Sequence, residues 1–341
     1  MTDRANRSPG PGLRMWLRAL RVIPRVSKAE WDALDIVSKW LLATRAAVFV
    51  MTAVSAGIGG LLAVRDHLFS WPRFLACLVG LVFAHATNNL VNDLTDHLKG
   101  VDKDNYFRAQ YGPQPLEHGL LTVRQVIRYA AFSGAVALAA GLYLVLDTGG
   151  VTLSLLAAGV FFVLFYTWPL KFIGLGEPSV LLVWGPLMVG GTYYVVTGGH
   201  YDPSVTWISL AYALGPTAVL FGKHTDKLKA DRAKGIRTLP VILGEPASRM
   251  TVLAMLAAQM LLTLGLVWRG QLGWPLLVVL FALPALRQTV PVFLRPRPET
   301  RPERFPAHIW PTYLVAYAFR YNRVFGLLFL LGLCADLLLR R

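Results

Sequence analysis

Charge is what this sequence most lacks. Of its 341 residues, 16% are Asp, Glu, Lys or Arg, where a soluble domain carries about 25%. Hydrophobic residues make up 55%, and mean hydropathy is +0.49. That shortage excludes an ordinary soluble enzyme or binding domain. Cysteine is almost missing too: Cys77 and Cys334 lie in separate apolar stretches, which excludes a thiolate metal site or a disulfide framework and leaves small packing residues. There is no soluble basic domain with a recognition element, so the net charge of +15 does not point to a nucleic-acid partner. The first 39 residues are basic and broken by Pro9, Pro11 and Pro24, without the apolar core of a cleavable signal.

What is present is a succession of long apolar runs. A spanning helix needs about 20 such residues, and the sequence offers nine spans: 40–64, 74–96, 125–146, 151–170, 179–198, 205–225, 249–268, 273–292 and 322–339. The fold class is therefore all-α, a polytopic helical bundle in a lipid bilayer. Residues 13–38 mix Arg with Leu, Trp and Val and read as an amphipathic segment on the membrane surface. The stretch 306–320 is short and aromatic and is expected at the interface. The chain thus divides into a basic segment, 1–39, and a transmembrane unit, 40–341.

The basic residues also set an orientation. Lys and Arg crowd the N-terminal tail and the loops 97–124, 226–249 and 293–321, while the turns near 147–150 and 199–204 hold none. Arg65, Arg73 and Arg269 are mild exceptions. By the positive-inside rule the tail and those loops are cytoplasmic, and the expected location is the cell membrane.

Two of these loops carry aspartates as well. The first follows the second span: Asn88-Asn89-Leu-Val-Asn92-Asp93-Leu-Thr-Asp96, then Gly100 and Asp102. Four residues turn about 400° on a helix, so Asn92 and Asp96 share a face. Asp93 stands near the helix end, and Gly100 stops the helix so that Asp102 can fold back. Magnesium takes oxygen ligands, usually one or two carboxylates plus substrate phosphates, and ionisable groups at membrane depth are costly enough to be functional by default. The second loop interleaves Lys223, Asp226, Lys227, Asp231 and Arg237, acids suited to a second cation and bases suited to diphosphate oxygens. Acids and bases facing an apolar helical chamber suit an isoprenyl diphosphate, whose head needs a metal and whose tail needs hydrocarbon. Metal ions would draw charge off the departing diphosphate, and aromatic rings would steady the allylic cation left behind.

These residues resemble the UbiA superfamily of intramembrane prenyltransferases. Asn92, Asp93, Asp96, Gly100 and Asp102 look like the variant found in 1,4-dihydroxy-2-naphthoate prenyltransferases, and Asp231 through Arg237 and Thr238 is similar to the second acidic motif. Trp40–Arg45, Tyr166–Lys171, Gly174–Glu177, Gly185-Pro186 and Gly191–Tyr194 resemble further family segments. The resemblance implies a central cavity open to the membrane and two Mg²⁺ ions. Asn92, Asp96 and Asp102 would hold one ion, and Asp226 and Asp231 the other. Lys171, Lys223, Lys227, Arg237 and the nearby Arg108 are then expected at the diphosphate. Arg45, Asn89, Tyr166, Tyr193 and Tyr194 are expected in the substrate cavity, and an aromatic acceptor of the dihydroxynaphthoate type would take the prenyl group on the way to a quinone. The sequence departs from the pattern in three places. Ala46 stands where proline usually follows the arginine, and Gln114 stands in Gly112-Pro113-Gln114-Pro115 where Gly-Pro-x-Arg is usual. Asp226 and Asp231 are five apart rather than four, about 140° around a helix, so a bulge at Asp226, His224 or a water must complete that site. A terpene cyclase of the same superfamily, which needs no acceptor, and a transporter are the alternatives.

Overall fold

The computed structural model describes residues 12–103, 107 and 112–339; Arg108 lies outside them. Among the described residues all regular structure is helical. Three short helices, α1 (Leu13–Arg21), α2 (Lys28–Asp32) and α3 (Ile36–Ala43), precede the bundle. Asp35 caps α3 by accepting from Ser38 N at 2.9 Å, and it also accepts from Gly12 N at 2.9 Å and Trp16 Nε1 at 3.0 Å. One carboxylate thereby pins α1 against α3. Met15 and Ala19 of α1 and Trp31 of α2 are buried in one cluster with Leu42, Leu90 and Val126, so the N-terminal segment and the bundle share a core. Leu13, Leu17 and Leu20 stay on the outer face of α1.

The bundle comprises α4 (Phe49–Arg65), α5 (Trp71–Leu98), α6 (Val123–Thr148), α7 (Thr152–Phe165), α8 (Gly176–Leu182), α9 (Gly191–Val196), α10 (Pro203–Asp226), α11 (Leu228–Ala233), α12 (Leu239–Leu243), α13 (Glu245–Trp268), α14 (Leu283–Leu294) and α15 (Tyr313–Leu339). A π-helical stretch, Val183–Gly190, joins α8 to α9, and a 3₁₀ stretch, Trp274–Ala282, leads into α14. Eight of the resulting rods are long and apolar enough to cross a membrane. The short α7 is the counterpart of the expected fourth span; its 14 residues reach about 21 Å. Pro186 lies inside the π-helix, where its missing N–H and its ring oppose regular α-helical bonding.

Two boundaries differ from the sequence pattern. The first expected span, 40–64, is broken at Arg45, which is left-handed at φ 55° and ψ 50°. The break frees backbone carbonyls in an apolar setting, where each needs a partner. Thr44 Oγ1 donates to Trp40 O at 2.7 Å, and Asn89 Nδ2 donates to Thr44 O at 2.8 Å. The other difference lies at the end of the chain. Residues 313–320 were expected at the interface, yet they are the first turns of α15. Asp226 makes this possible by accepting from Leu314 N and Val315 N, both at 3.0 Å, an anion placed on a helix N-terminus. Cys77 packs inside as expected, whereas Cys334 is exposed on the outer face of α15.

Close helix packing rests on small residues. A Cβ built on Gly59 of α4 would stand 2.5 Å from Val189 O and 2.8 Å from Thr192 Cβ. The obstacle is mainly backbone, which cannot swing aside. Gly59→Val should therefore destabilise the bundle by about 1–3 kcal/mol, read as a lower thermal midpoint in detergent; an unchanged midpoint would contradict the close approach. Asp35 generates a second expectation. Burial would raise its pKa, but the hydrogen bonds from Ser38, Trp16 and Gly12 outweigh this and hold it below the ordinary carboxylate value. A depressed folded pKa stabilises fully above the ordinary value and loses that contribution as pH falls toward the folded one. Proteolysis between α1 and α3 should stay slow from neutral pH down to about 4, the ordinary aspartate range, and accelerate below it. Asp35→Ala should accelerate it at every pH.

Candidate active site

The last three turns of α5 carry the first motif. Asn89, Asp93 and Asp96 are buried there, and Asn92 is half-buried. Each polar group is directed to a different neighbour. Asn88 Nδ2 donates to Val163 O at 3.0 Å and Asn92 Nδ2 to Thr167 Oγ1 at 2.9 Å, both toward the α7 side. Arg45 NH2 lies 3.1 Å from Asp93 and also donates to Asn89 O and Oδ1. Lys171 Nζ donates to both oxygens of Asp96, at 2.7 and 2.9 Å. Gly100, at φ 67°, ends the helix as the sequence indicated, and the next turn carries the buried Asp102. Lys171 arrives on the short turn after α7, where Tyr166 also sits within reach of the charges of Glu177 and Asp96.

The second motif occupies the end of α10 and the whole of α11. The chain bends at Lys227, and Lys227 Nζ then sits 3.2 Å from the buried Asp231. Lys223 stands one turn earlier and is half-buried; Arg237 is exposed. The two motifs are laced together. Lys234 Nζ donates to Val101 O at 2.5 Å and Lys103 O at 2.6 Å, and Arg237 N donates to Phe172 O at 3.3 Å. The loops of both motifs and the Lys171 turn therefore meet at one end of the bundle. Two buried polar atoms on these segments, Gln114 Nε2 and Thr238 Oγ1, have no hydrogen-bond partner among the described residues.

Three expected sites have other partners in the structure. Asp226, expected as a metal ligand, accepts from Arg297 Nε at 2.9 Å and caps α15 through its other bonds. Its five-residue spacing from Asp231 reflects these separate tasks, with the bend at Lys227 between them. His224, considered as a substitute ligand, is 2.5 Å from Glu177, whose second oxygen accepts from Leu239 N. Tyr193 and Tyr194 lie at the opposite end of the bundle. The Tyr193 hydroxyl donates to Asp66 at 2.7 Å, beside the Arg65–Asp66 and Arg65–Asp202 pairs, and Tyr194 Oη accepts from Val151 N. With 28 residues in α5, the two ends stand about 40 Å apart. Glu177 closed one of the resembling segments but, like Lys234 and Arg297, was given no role by sequence. Each acts across a long separation: Glu177 on His224, Lys234 on Val101 and Arg297 on Asp226.

Beneath the first motif lies an apolar cavity of about 240 Å³, lined by Thr87, Val163 and Leu164 near the acids and by Cys77, Leu144 and Thr192 farther away. Asn88, one residue beyond Thr87, bonds the carbonyl of the lining residue Val163.

The bundle thus gathers acids and lysines at one end, above an apolar cavity. Residues 50–312 match the UbiA prenyltransferase family, and the chain belongs to that family. The human UbiA prenyltransferase domain-containing protein 1 is 29% identical over 222 residues, 61% of each chain. The chain thus spans less than two thirds of that relative's length. The protein of the same name from Gallus gallus is 29% identical over 265 residues, 73% of this chain and 75% of the chicken protein. These relatives share the family but not the narrower dihydroxynaphthoate name. Among solved structures, the apo form of a UbiA homolog from Aeropyrum pernix K1 superposes with a TM-score of 0.60 at 19% identity, covering 85% of this chain and 98% of that one. A UbiA homolog from Archaeoglobus fulgidus, bound to GPP and Mg²⁺, gives 0.53 at 12% identity, covering 86% and 99%. At those identities the likeness is one of fold.

The Asp226–Arg297 pair yields a direct test. Removing one partner of a buried ion pair costs about 3–5 kcal/mol, so Asp226→Ala should lower the thermal midpoint strongly. Asp231→Asn, which can keep a hydrogen bond to Lys227, should lower it much less. Equal effects on stability would contradict the division of tasks.

Proposed function

We propose that this chain transfers an isoprenyl group from a prenyl diphosphate to an aromatic acceptor of the 1,4-dihydroxy-2-naphthoate type, with Mg²⁺. The observation that carries this reading is the gathering of the Asp96–Lys171 and Asp231–Lys227 pairs at one end of the bundle, above the apolar cavity. The GPP- and Mg²⁺-bound homolog of the same fold supports it.

The donor set fits a hard cation. Asp96, Asp102 and Asp231 are buried and Asn92 is half-buried, all offering oxygen. Among the described residues no three His, Cys, Asp or Glu side chains close into a metal cage, and a magnesium site of one or two carboxylates completed by phosphate oxygens asks for none. Asp226 is left out of the set because its oxygens hold Arg297 and α15. A bound divalent cation would draw charge from the diphosphate as it leaves.

The rest falls to the protein's own groups. Lys171 and Lys227 sit against carboxylates, and arriving phosphate oxygens would share their protons. Lys223, Arg237, Gln114 Nε2 and Thr238 Oγ1 supply further donors on the same segments. Asp93 and Asn89 fix Arg45. The cavity takes the hydrocarbon tail and keeps water from the cation, and Tyr166 lies near enough to steady it. By the positive-inside rule the basic loops support a cytoplasmic position for this end, in a cell membrane.

The test uses purified full-length protein with geranyl diphosphate and Mg²⁺, with and without 1,4-dihydroxy-2-naphthoate, identifying organic products. Acceptor-dependent diphosphate release with a prenylated ring is expected. Release without acceptor, yielding a cyclic hydrocarbon, would establish the cyclase instead. Asp96→Asn and Asp231→Asn should each lower turnover by about 10²–10³-fold, the usual cost of losing one electrostatic contact to the transition state. EDTA should stop turnover and added Mg²⁺ restore it; full activity in EDTA would sink the metal-dependent reading.

A further inference from the structure

One intramembrane group is left over by this account. His85 lies on α5, two to three turns below the acids, inside a spanning helix. An ionisable ring at that depth is costly unless it is used. Thr52 Oγ1, fully buried on α4, is 2.7 Å from its Nδ1. That bond satisfies one nitrogen. Nε2 has no hydrogen-bond partner among the described residues, and it is not one of the fully covered unpartnered atoms. The residue is itself only half-buried.

Helix geometry gives the face on which His85 sits. At about 100° per residue, positions 85, 89, 92 and 96 fall within about 60° of one another. His85 therefore continues the face of Asn89, Asn92 and Asp96, about 16 Å along the axis from Asp96. Thr87, Ala84 and Gly80, which line the apolar cavity, point more than about 90° away by the same spacing, while Leu81, one turn from His85, also lines it.

Aromatic rings flank His85. Phe49 lies 5.4 Å from the His85 ring, centroid to centroid, and Trp184 meets it edge-on at 5.7 Å and 85°. Trp40 lies 6.0 Å beyond Phe49. Two backbone irregularities bring these walls together. Phe49 follows the left-handed turn at Arg45, and Trp184 is presented by the π-helix. Strained and π-helical backbone collects where function requires it. Flat rings with one hydrogen-bonding nitrogen between them suit a planar aromatic bearing a hydroxyl.

We propose that His85 is the acceptor-binding residue, receiving a hydrogen bond from a ring hydroxyl of the aromatic acceptor held between Phe49 and Trp184. This rests on the transferase reading above. Nδ1–H then donates to Thr52, which leaves the Nε2 lone pair for the acceptor. Thr52 acts through His85 as a positioning residue. The acceptor is thereby held on the α5 face that carries Asn89, Asn92 and Asp96.

The experiment varies 1,4-dihydroxy-2-naphthoate at saturating geranyl diphosphate and Mg²⁺, and measures geranyl diphosphate Kd separately, for wild type, His85→Ala, His85→Gln and Thr52→Val. In His85→Ala, kcat/KM for the acceptor should fall about 10- to 100-fold, the scale of one buried hydrogen bond. Geranyl diphosphate Kd should stay within about twofold of wild type, a change of less than half a kcal/mol. His85→Gln should recover part of the loss, and Thr52→Val should show a smaller loss with the same selectivity. Acceptor kinetics unchanged in His85→Ala would overturn the proposal while leaving the transferase reading standing. Acceptor and diphosphate affinities falling together, with Thr52→Val equal to wild type, would reduce His85 to a packing residue. Wild-type release of diphosphate without acceptor would remove the transferase reading, and this proposal with it.

Discussion

A carboxylate at the rim of an apolar bundle needs a cation or several donors beside it, and this requirement organises the motif-bearing end. Four acids meet it with four cations: Asp93 with Arg45, Asp96 with Lys171, Asp226 with Arg297 and Asp231 with Lys227. Each pairing reaches to a different segment or bends the local chain. Together they decide where α3 breaks, where the turn after α7 docks, how α10 gives way to α11, and where α15 begins. Burying such pairs contributes little net stability. Their use lies in specifying one arrangement, with lysines held next to carboxylates and within reach of a second anion.

Much of the fold was legible because a bilayer imposes a simple rule on sequence. Runs of apolar residues located the spans, and α5 could be read almost residue by residue because Asn89, Asn92, Asp93 and Asp96 share one uninterrupted helix. What escaped depends on partners far along the chain. Nothing near Asp226 reveals that its oxygens belong to Arg297 and to the start of α15, and nothing near Tyr313 reveals that a distant acid will cap the helix there. Tyr193 and Tyr194 are a different lapse. A span that starts at the acid-bearing end and runs for about 20 residues must carry its last residues to the other face, so their place at the far end was available from order alone.

The helix α5 has two working sides. Glycine, alanine and threonine on one side line the apolar cavity, and histidine and asparagine on the other meet Phe49, Trp184 and Arg45. A single rigid rod can hold two unlike substrates apart along most of its length and bring them together only at the end where the acids lie. The irregular neighbours, the turn at Arg45 and the π-helix at Val183–Gly190, then shape the walls without disturbing the rod.

The bond between Asp226 and the last helix also sets an order on biogenesis. The second motif leaves the ribosome well before residues 297, 314 and 315, so the nascent bundle carries a bare carboxylate at the end of α10 until those residues follow. The site is sealed when α15 is inserted. A chain that stops short of it would present an unneutralised acid at the membrane edge, a mark by which an unfinished molecule differs chemically from a finished one.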